Sequence, residues 1–494
     1  DSLQIQYPFA EPGTTPTRGI YGTDDRIEVK DAEGYEDFVR ATVVMVHKSY
    51  LVGDSFFKSR TLRDRLSSQF ETDKFARDVK FLDQPTLGTC TGFLIAPDIL
   101  VTAGHCINSM EEANNYYWVL DYTSESEFVQ DKYVKIEPEN IFEVERVIAS
   151  KLDDDTVEDY AVLQLTKKTD RTPYRFRTSG KAIVKHPIYT IGSPTGLPLK
   201  FATNAVVKDT IPDNFFVTDI DTFPGNSGGP VFNQNGFIEG IHVRGTTVRD
   251  AMGYRTSSYI YDPKCNCVKN VKYTKKQTQY GGGEAQTINQ IPYWILYKAI
   301  YENLEYAIAN NLEDRFYSWY AYNWIFNHWY ADDKGRLEIV AIENNNRTAL
   351  ETILELTKEE LTDEQSRLIL NAALNSDTNE TLKFLLDSGL LPDAGEDYTY
   401  TLLQTLVMNN KFDMAQLFIS YGADINAVTN GGDSLLHLAA QTGNKDMVVS
   451  LLKMGLSVNS KNYRKKRPEW TAKKNKHKSL SRYLKKVRKG KITV

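Results

Sequence analysis

Hydrophobic and polar positions follow two different patterns along the chain. Up to about residue 310 the apolar residues form short runs rich in Val, Ile, Phe and Thr, separated by turn residues; they include RATVVMV, GFLIAPDILVTA, YAVLQL and VFNQNGFIEGIHV. Many short strands with frequent turns are typical of an all-β barrel or sandwich. The pattern therefore predicts an all-β barrel or sandwich in the N-terminal part of the chain.

The C-terminal part of the chain repeats with a period of 33 residues, because the segment that begins at Leu402 aligns with the one that begins at Leu435. Glycines follow the apolar runs at the same interval, at Gly389, Gly422 and Gly455. Glycine at such a place permits the left-handed turn that ends a helix. Together with SLLHLA at 434–439, this pattern resembles the ankyrin repeat, which implies an all-α solenoid over about 336–490.

An aromatic segment separates the two patterns. Residues Phe316–Tyr330 hold nine aromatic side chains among fifteen. In a helix, four of them would form one stripe: Trp319, Tyr322, Phe326 and Tyr330. We therefore predict a buried aromatic helix that links the two domains over residues 311–335. The alternative is an aromatic patch for a membrane interface.

The composition is that of an ordinary globular protein, with 494 residues, of which 41% are hydrophobic and 25% charged. At roughly 150 residues per domain, this length favours two or three domains. A fibrous or wholly disordered chain is excluded by this composition. Because no run of about 18 apolar residues occurs, no membrane span is predicted.

Charge is distributed unevenly along the chain. Residues 461–494 hold 15 Lys and Arg and one acid, Glu469, for a net charge of +14; the rest of the chain holds 44 basic and 64 acidic residues, for a net charge of −20. This segment is expected to be a basic terminal cap on the repeats, around Pro468–Lys486, or a surface that binds a polyanion or an acidic partner.

Three separate segments supply the groups needed for nucleophilic catalysis. His105 lies in LVTAGHC, Asp159 lies at the start of EDYAVLQL, and Ser227 lies in the glycine-rich TFPGNSGGP. A serine hydroxyl becomes a nucleophile when a neutral imidazole accepts its proton and a carboxylate orients that imidazole. Gly225 permits a tight turn that aims its own N–H and that of Ser227 at a developing oxyanion. Each group alone has an ordinary structural explanation.

In this order and with these flanks, the segments resemble the chymotrypsin-like serine peptidases. The segments CTGFLIAPDILVTAGHC, IGSPTGLPLKFA and GNSGGPVFN narrow the resemblance to the bacterial trypsin-like and glutamyl endopeptidase branch, over about residues 20–310. The resemblance implies two six-stranded antiparallel barrels with the triad in the cleft between them, and hydrolysis of peptide bonds through an acyl-enzyme, without metal or cofactor. We therefore expect an all-β chymotrypsin-like double barrel followed by an all-α ankyrin-repeat solenoid.

The same resemblance suggests cleavage after Glu, with Asp second. In glutamyl endopeptidases a threonine shortly before the nucleophile and a histidine in a Gly-Ile-His strand line the specificity pocket, and Thr222 and His242 match these places. Arg244, two residues further on, would contribute if its side chain faces the cleft. The alternative is that His242 is a packed strand residue, and relatives with a GLPLKFA segment often carry an apolar residue there.

The four cysteines form two pairs that lie close in sequence. Cys90 and Cys106 flank the histidine hairpin, as the disulfide of many chymotrypsin-like enzymes does, and a crosslink there would contribute roughly 3 kcal/mol by the loop-entropy model. Such a bond implies an oxidising compartment. For Cys265 and Cys267 the sequence leaves open a local disulfide, free thiols and pairing elsewhere.

Three segments lie outside the expected barrels. Residues 1–19 are expected to be an N-terminal extension or a propeptide remnant, because Arg18-Gly19 precedes IYGTDDR, where relatives have their mature termini. Two insertions are expected, at about Leu51–Gly88 and Thr246–Gly283, and the first of them would decorate the barrel rim and shape the cleft.

These expectations combine into a secreted serine endopeptidase that acts on protein substrates and carries an ankyrin array for protein partners. The rival class is a catalytically inactive peptidase-like scaffold that acts as an ankyrin binding module. Ankyrin arrays are common inside cells, whereas the cysteine pair favours export, so that a bacterial effector reaching a eukaryotic host fits both features.

Overall fold

The computed structural model describes most of the chain: residues 24, 26–32, 39–153, 156, 158–221, 223–244, 258–272, 283–323, 325, 333–376, 378–395 and 398–494, without the side chains of Asn204 and Arg244. The chain divides into two compact units, Asp1–Asn303 and Leu304–Val494. The predicted N-terminal extension, residues 1–19, and the candidate specificity residue Thr222 lie outside the described residues.

Short strands separated by turns make up most of the first unit, as the apolar runs predict. In chain order the strands are β1 (Ile27–Glu28), β2 (Thr42–His47), β3 (Leu51–Val52), β4 (Phe56–Lys58), β5 (Cys90–Ala96), β6 (Ile99–Thr102), β7 (Tyr116–Val119), β8 (Phe128–Val129), β9 (Tyr133–Lys135), β10 (Ile141–Phe142), β11 (Val144–Asp153), β12 (Glu158–Leu165), β13 (Pro187–Gly192), β14 (Lys200–Asp209), β15 (Phe215–Thr218), β16 (Pro230–Asn233), β17 (Ile238–Arg244), β18 (Tyr259–Asp262), β19 (Cys267–Asn270) and β20 (Gly283–Thr287).

One sheet closes into a six-stranded antiparallel barrel. Its strand order is β10-β7-β2-β5-β6-β12-β11. Because only Glu143 separates β10 from β11, this stretch of chain pairs with β7 at one end and with β12 at the other. The apolar residues of β5, β6 and β12 are almost wholly buried, which explains why these segments are the most hydrophobic runs of the first half.

A second sheet closes in the same way. Its order is β1-β14-β13-β16-β17-β20-β15, and β15 also pairs with β14, so that six strands form a ring and β1 adds to it from outside. A cluster of buried side chains forms its core: Ala182, Ile188, Ala205, Val207, Phe216, Ile220, Val231 and Ala285. The two closed sheets confirm the predicted all-β double barrel.

The two insertions pack against each other within the first unit. The first contains helix α1 (Leu62–Phe70), and the second contains the β18–β19 hairpin. Phe75 of the first forms a β-bridge with Val268 of the second. Both contribute to one buried cluster: Leu62, Leu66, Val79, Leu197, Phe223, Tyr259 and Val268. This shared core reaches the segment of the candidate nucleophile, because Phe223 lies just before its turn.

The remaining helices of the described residues follow in chain order. They are α2 (Met110–Ala113), α3 (Tyr293–Ala309), α4 (Glu313–Tyr320), α5 (Arg336–Glu343), α6 (Arg347–Thr357), α7 (Asp363–Asn375), α8 (Asn379–Asp387), α9 (Leu402–Met408), α10 (Phe412–Ser420), α11 (Leu435–Thr442), α12 (Lys445–Lys453), α13 (Pro468–Lys474) and α14 (Lys478–Arg488).

The helices from α5 to α14 form the repeats that the 33-residue period predicts. Capping boxes at Thr362, Thr401 and Ser434 begin α7, α9 and α11 by satisfying the free N–H groups of the first turn. The periodic glycines adopt the left-handed conformation after α8, α10 and α12, with φ of 101°, 90° and 97°. The second unit thereby confirms the predicted all-α repeat region.

The basic C-terminal segment is a folded pair of helices. Pro468 occupies the first turn of α13, where its missing N–H costs nothing. Ala472 of α13 and Leu480 and Leu484 of α14 are buried. Arg488 forms an ion pair with Glu469 at 3.0 Å. Most of the lysines in this pair are exposed, so the segment presents a cationic surface on an apolar core.

The aromatic segment is only partly helical within the described residues. Helix α4 ends at Tyr320, so the helix is shorter than the predicted 311–335. Phe316 and Trp319 are buried, whereas residue 324 and residues 326–330 lie outside the described part of the chain. None of the helices in that described part combines the length and apolarity that crossing a bilayer requires.

Candidate functional site

His105 lies just after the β5–β6 hairpin, and a glycine fixes the path of the chain before it. A Cβ at Gly104 would lie 2.2 Å from the carbonyl oxygen of Lys151 and 3.0 Å from that of Tyr160. Only glycine therefore lets the chain pass this close to β11 and β12. As a result, His105 lies beside the N-terminal end of β12, which carries Asp159.

Two hydrogen bonds join His105 to Asp159. The main-chain N–H of His105 donates to Oδ1 of Asp159 at 2.9 Å, and Nδ1 of the ring lies 2.7 Å from Oδ2. The Asp159 side chain is 2% exposed, whereas that of His105 is 37% exposed. Because a carboxylate oxygen accepts, Nδ1–H is the donor of the bond to Oδ2, and Nε2 is the ring nitrogen that remains available.

A residue of the second barrel forms a hydrogen bond with the main chain of Asp159. The main-chain N–H of Asp159 donates to Oε1 of Gln286 at 2.8 Å, and Nε2 of Gln286 donates to the carbonyl of Asn214 at 2.6 Å. Gln286 is completely buried in β20. This side chain therefore ties the strand that carries the carboxylate to the other barrel.

Ser227 lies in a turn that packs against the histidine hairpin. Its carbonyl accepts the N–H of Thr91, which lies in β5, at 2.8 Å, and the Thr91 hydroxyl donates to the carbonyl of Gly225 at 2.7 Å. At Gly228 a Cβ would lie only 2.1 Å from the carbonyl oxygen of Thr91 and 2.9 Å from the N of Ala103. The turn that contains Gly225, Ser227 and Gly228, called the nucleophile turn for the candidate role of Ser227, is therefore in direct main-chain contact with the segment that leads to His105.

The turn contains two N–H groups that have no acceptor among the described residues. Gly225 adopts φ of 97°, a conformation that glycine accepts without strain. Within the described part of the chain, neither the N–H of Gly225 nor that of Ser227 donates a hydrogen bond to the protein. These two N–H groups, separated by one residue in the turn, are therefore free to donate to a bound group.

No hydrogen bond joins the Ser227 hydroxyl to His105 among the described residues. Catalytic hydrogen bonds are often long or poorly aligned before substrate binds, so this geometry is compatible with a serine nucleophile. The structure thus brings the three candidate groups to one region, with His105 and Asp159 already bonded and Ser227 held beside them by Thr91.

Of the three specificity candidates, only His242 has a side chain among the described residues. Thr222 and the side chain of Arg244 lie outside the described residues. His242, in β17, is 2% exposed, and its main chain pairs with Gly228 and Gly229 of the nucleophile turn. Burial, and secondarily His105, lower the pKa of His242 to about 4, so the ring is neutral at pH 7. Its Nδ1 has no hydrogen-bond partner among the described residues.

Both cysteine pairs are disulfides in the structure. The bond between Cys90 and Cys106 joins the start of β5 to the residue after His105, and Sγ of Cys106 lies 3.7 Å from the carbonyl oxygen of Ser227. This crosslink therefore lies between the histidine segment and the nucleophile turn. Of the alternatives for Cys265 and Cys267, the structure has the local disulfide, in the β18–β19 turn.

Sequence reasoning missed the two polar residues that support the site. Thr91 and Gln286 are each 0% exposed in strands of different barrels, and each bonds to the main chain of a candidate residue. A single Thr or Gln in an apolar strand has no local pattern that distinguishes it. The only available signal was the position of Thr91 directly after Cys90.

Two family models match the chain. One, described as a trypsin-like peptidase domain, matches residues 90–241, and the other, described as ankyrin repeats (3 copies), matches residues 368–462 and 404–490. The first match contains the histidine, aspartate and serine segments. The second lies wholly within the helical repeats.

Each of the curated relatives matches a part of the chain. A probable periplasmic serine endoprotease, DegP-like, of Rickettsia prowazekii (strain Madrid E) is 26% identical over 31% of this chain and 27% of that protein. A homolog of transient receptor potential cation channel subfamily A member 1 from Caenorhabditis elegans is 30% identical over 24% of this chain and 10% of that protein. Inversin of Gallus gallus is 33% identical over 16% of this chain and 7% of that protein. The chain thus spans less than a third of the length of each of these relatives.

Proposed function

We propose that the chain, which joins a trypsin-like peptidase domain over residues 90–241 to ankyrin repeats over residues 368–490, is a serine endopeptidase. The observation that carries this proposal is the pair of hydrogen bonds between His105 and Asp159, next to the Ser227 turn. The ankyrin repeats would bind protein substrates or partners, because stacked repeats present an extended surface.

The proposed mechanism assigns one step to each group. Nε2 of His105 takes the proton of the Ser227 hydroxyl as its oxygen attacks the scissile carbonyl, and Asp159 stabilises the imidazolium. The N–H groups of Gly225 and Ser227 donate to the oxyanion. His105 then protonates the leaving amine, and a water molecule, deprotonated by His105, hydrolyses the acyl-enzyme.

A fluorophosphonate probe distinguishes this function from the rival, an inactive scaffold for the repeats. Wild type should be labelled at Ser227, and Ser227→Ala should not. Ser227→Ala and His105→Ala should each lower peptide hydrolysis at least about a thousandfold while the fold stays intact, since each removes a group that acts in the transition state. Undiminished hydrolysis by either variant would reject the triad, and an unlabelled, inactive wild type would favour the scaffold.

We also propose cleavage after Glu, with Asp second. The support is a fully buried neutral imidazole at His242 with an unpartnered Nδ1, in the strand bonded to the nucleophile turn. Such a ring can donate a hydrogen bond to a carboxylate that has lost its water. Thr222 and Arg244 enter this proposal by sequence position alone.

A peptide library tests the preference directly. We expect Glu to dominate at the cleaved residue, and His242→Leu to weaken hydrolysis after Glu more than hydrolysis after a neutral residue. A preference for Phe, Leu or Arg would instead support the reading of His242 as a packed strand residue. Equal effects of His242→Leu on acidic and neutral substrates would support the same reading.

Secretion, as a bacterial effector that reaches a eukaryotic host, is a further part of the proposal. Two disulfides support it, because such bonds persist in oxidising compartments. Removal of residues 1–19 near Arg18 is proposed as an activation step. Equal activity of chains that begin at Asp1 and at Ile20 would exclude that step.

The basic helix pair is proposed to bind a polyanion or an acidic surface. Its support is the net charge of +14 over residues 461–494, set on two folded helices with exposed lysines. The alternative is a polar cap that covers the last repeat, which terminal repeats require.

A further inference from the structure

A pocket of about 540 Å³ opens beside the nucleophile turn in the first unit. One wall is formed by Pro224 and Gly225, whose N–H is one of the two proposed oxyanion donors. A second wall is formed by residues 86–89, which lead directly into Cys90. The pocket is therefore continuous with the place where the scissile bond would lie.

Among the described residues, three cations and no acidic side chain line this pocket. The cations are Lys58, Arg60 and Arg65. Lys58 and Arg60 are exposed, and none of the three forms an ion pair with a described residue. Burial, followed by the neighbouring charge of Arg60, lowers the pKa of Arg65. Like charges that share a pocket without a counter-ion favour binding of an anion.

Hydrogen bonds connect Arg65 to the nucleophile turn through main-chain carbonyl groups. Nη1 of Arg65 donates to the carbonyl of Thr195 at 2.7 Å, and the N–H of Thr195 donates to the carbonyl of Pro224 at 2.5 Å. The N–H of Leu87 donates to the carbonyl of Gly196 at 2.7 Å. Helix α1, which carries Arg65, is thereby fixed relative to the turn, so the pocket is preorganised.

The position of the pocket selects one side of the substrate. The leaving amine must approach His105 to receive its proton, and the Cys90–Cys106 disulfide places the wall at 86–89 on the His105 side of the nucleophile turn. The side chain of the cleaved residue is expected instead near His242. A peptide residue in extended form spans about 3.3–3.6 Å, so the first three residues after the scissile bond extend about 10 Å, beginning beside the Gly225 wall of the pocket.

We propose that this pocket binds acidic side chains in the first three residues that follow the scissile bond. The inference rests on the proposed peptidase function and adds a second specificity element to it. A carboxylate in the pocket replaces the missing counter-ion of Lys58, Arg60 and Arg65, and charge-assisted bonds of this kind are among the stronger ones in proteins.

Two internally quenched peptides test the inference on the full chain. They share every residue up to the cleaved bond and differ after it, with Asp-Glu-Asp in one and Asn-Gln-Asn in the other. Wild type should hydrolyse the acidic peptide with about tenfold higher kcat/KM. The double variant Lys58→Gln, Arg60→Gln should lose this preference and keep the wild-type rate on the neutral peptide. Lys185→Gln, an exposed cation on the second barrel, is the control and should behave as wild type.

Failure of the inference differs from failure of the proposed function. A substrate that ends in a p-nitroanilide has no residue after the cleaved bond, and the double variant should hydrolyse it at the wild-type rate. Hydrolysis of all substrates without an acidic preference would overturn the inference and leave the peptidase intact, whereas no hydrolysis and no fluorophosphonate labelling would overturn the function. Calorimetric binding of inorganic phosphate to wild type but not to the double variant, with no peptide preference, would show a free-anion site and also overturn the inference.

Discussion

At the residue scale, the carboxyl group of Glu302 is largely buried and lies near that of Asp98. Asp98 is 7% exposed in the β5–β6 turn and accepts a hydrogen bond from Gln164 at 3.0 Å. Burial, and then the negative charge of Asp98, raise the pKa of Glu302 from 4.5 to about 7. Lys298 lies 3.5 Å from Glu302 and offsets only part of this effect.

The raised pKa of Glu302 predicts a specific pH dependence of stability. Between pH 4.5 and 7 the folded state keeps a proton that the unfolded chain has released, so the stabilisation is complete below pH 4.5 and is lost as pH rises through 7. Glu302→Gln should abolish this decline, which is on the order of 2 kcal/mol. Urea unfolding of the first unit at pH 5 and pH 8 measures it. A wild-type decline that persists in the variant would assign the effect to another group.

The candidate residues differ in how far the sequence predicts them. His105 and Ser227 lie beside glycines, and those glycines have positions where no side chain fits, so the local sequence records the geometry. Thr91 and Gln286 act only after distant strands have paired, and nothing in their own neighbourhood indicates that pairing. The same limit applies to the charges of Lys58 and Arg65, which share a pocket through tertiary folding.

At the element scale, the contact between the nucleophile turn and β5 depends on Gly228. Its φ is 87°, and a Cβ would lie 2.1 Å from Oγ1 of Thr102 and from the carbonyl oxygen of Thr91. We predict that Gly228→Ala lowers stability by about 3 kcal/mol or more, because backbone has to move, and removes activity with it.

Gly53→Ala is the control for this prediction, because it introduces backbone strain without a steric clash. Gly53 has φ of 70°, with nothing within 4 Å of its Cβ position. It should lose only about 1 kcal/mol and keep full activity. Thermal unfolding and peptide hydrolysis of both variants measure the difference; similar losses in the two would show that the close approach at Gly228 is not what constrains the turn.

Elements with a repeating or alternating pattern were predicted well, and elements that depend on long-range pairing were not. The 33-residue period indicated the helix pairs because each unit buries the same face. The mutual packing of the insertions had no such signal, since Phe75 and Val268 are far apart in the sequence and form their bridge only in the folded chain. The aromatic helix was predicted too long because aromatic spacing alone does not show where a helix ends.

At the scale of the whole molecule, the basic helix pair carries a net charge opposite in sign to that of the rest of the chain. If this end binds a polyanion, replacing exposed lysines with glutamine should shift elution from heparin to lower salt. A suitable variant replaces four of them: Lys473, Lys478, Lys485 and Lys486. On duplex DNA, the slope of log K against log salt should fall by about 0.9 for each lost phosphate contact.

A second set of four exposed lysines controls for net charge. These lie in the first unit, at Lys30, Lys132, Lys185 and Lys264, and their replacement by glutamine changes the total charge equally. Elution should then stay close to that of wild type. Equal shifts in both variants would show that only net charge matters, and no shift in either would leave the helix pair as a cap.

The core shared by the two insertions is separate from the buried cluster of the second barrel. Helix α1 and the β18–β19 hairpin pack against Phe223, next to the nucleophile turn, and their described residues contribute no strand to either barrel. Substitutions on their surfaces, and at exposed Arg60, leave the barrel cores unchanged and so escape the stability losses that usually limit adaptation. For the proposed peptidase, a lineage can therefore adapt to changing protein substrates by altering this surface, while His105, Asp159 and Ser227 stay the same.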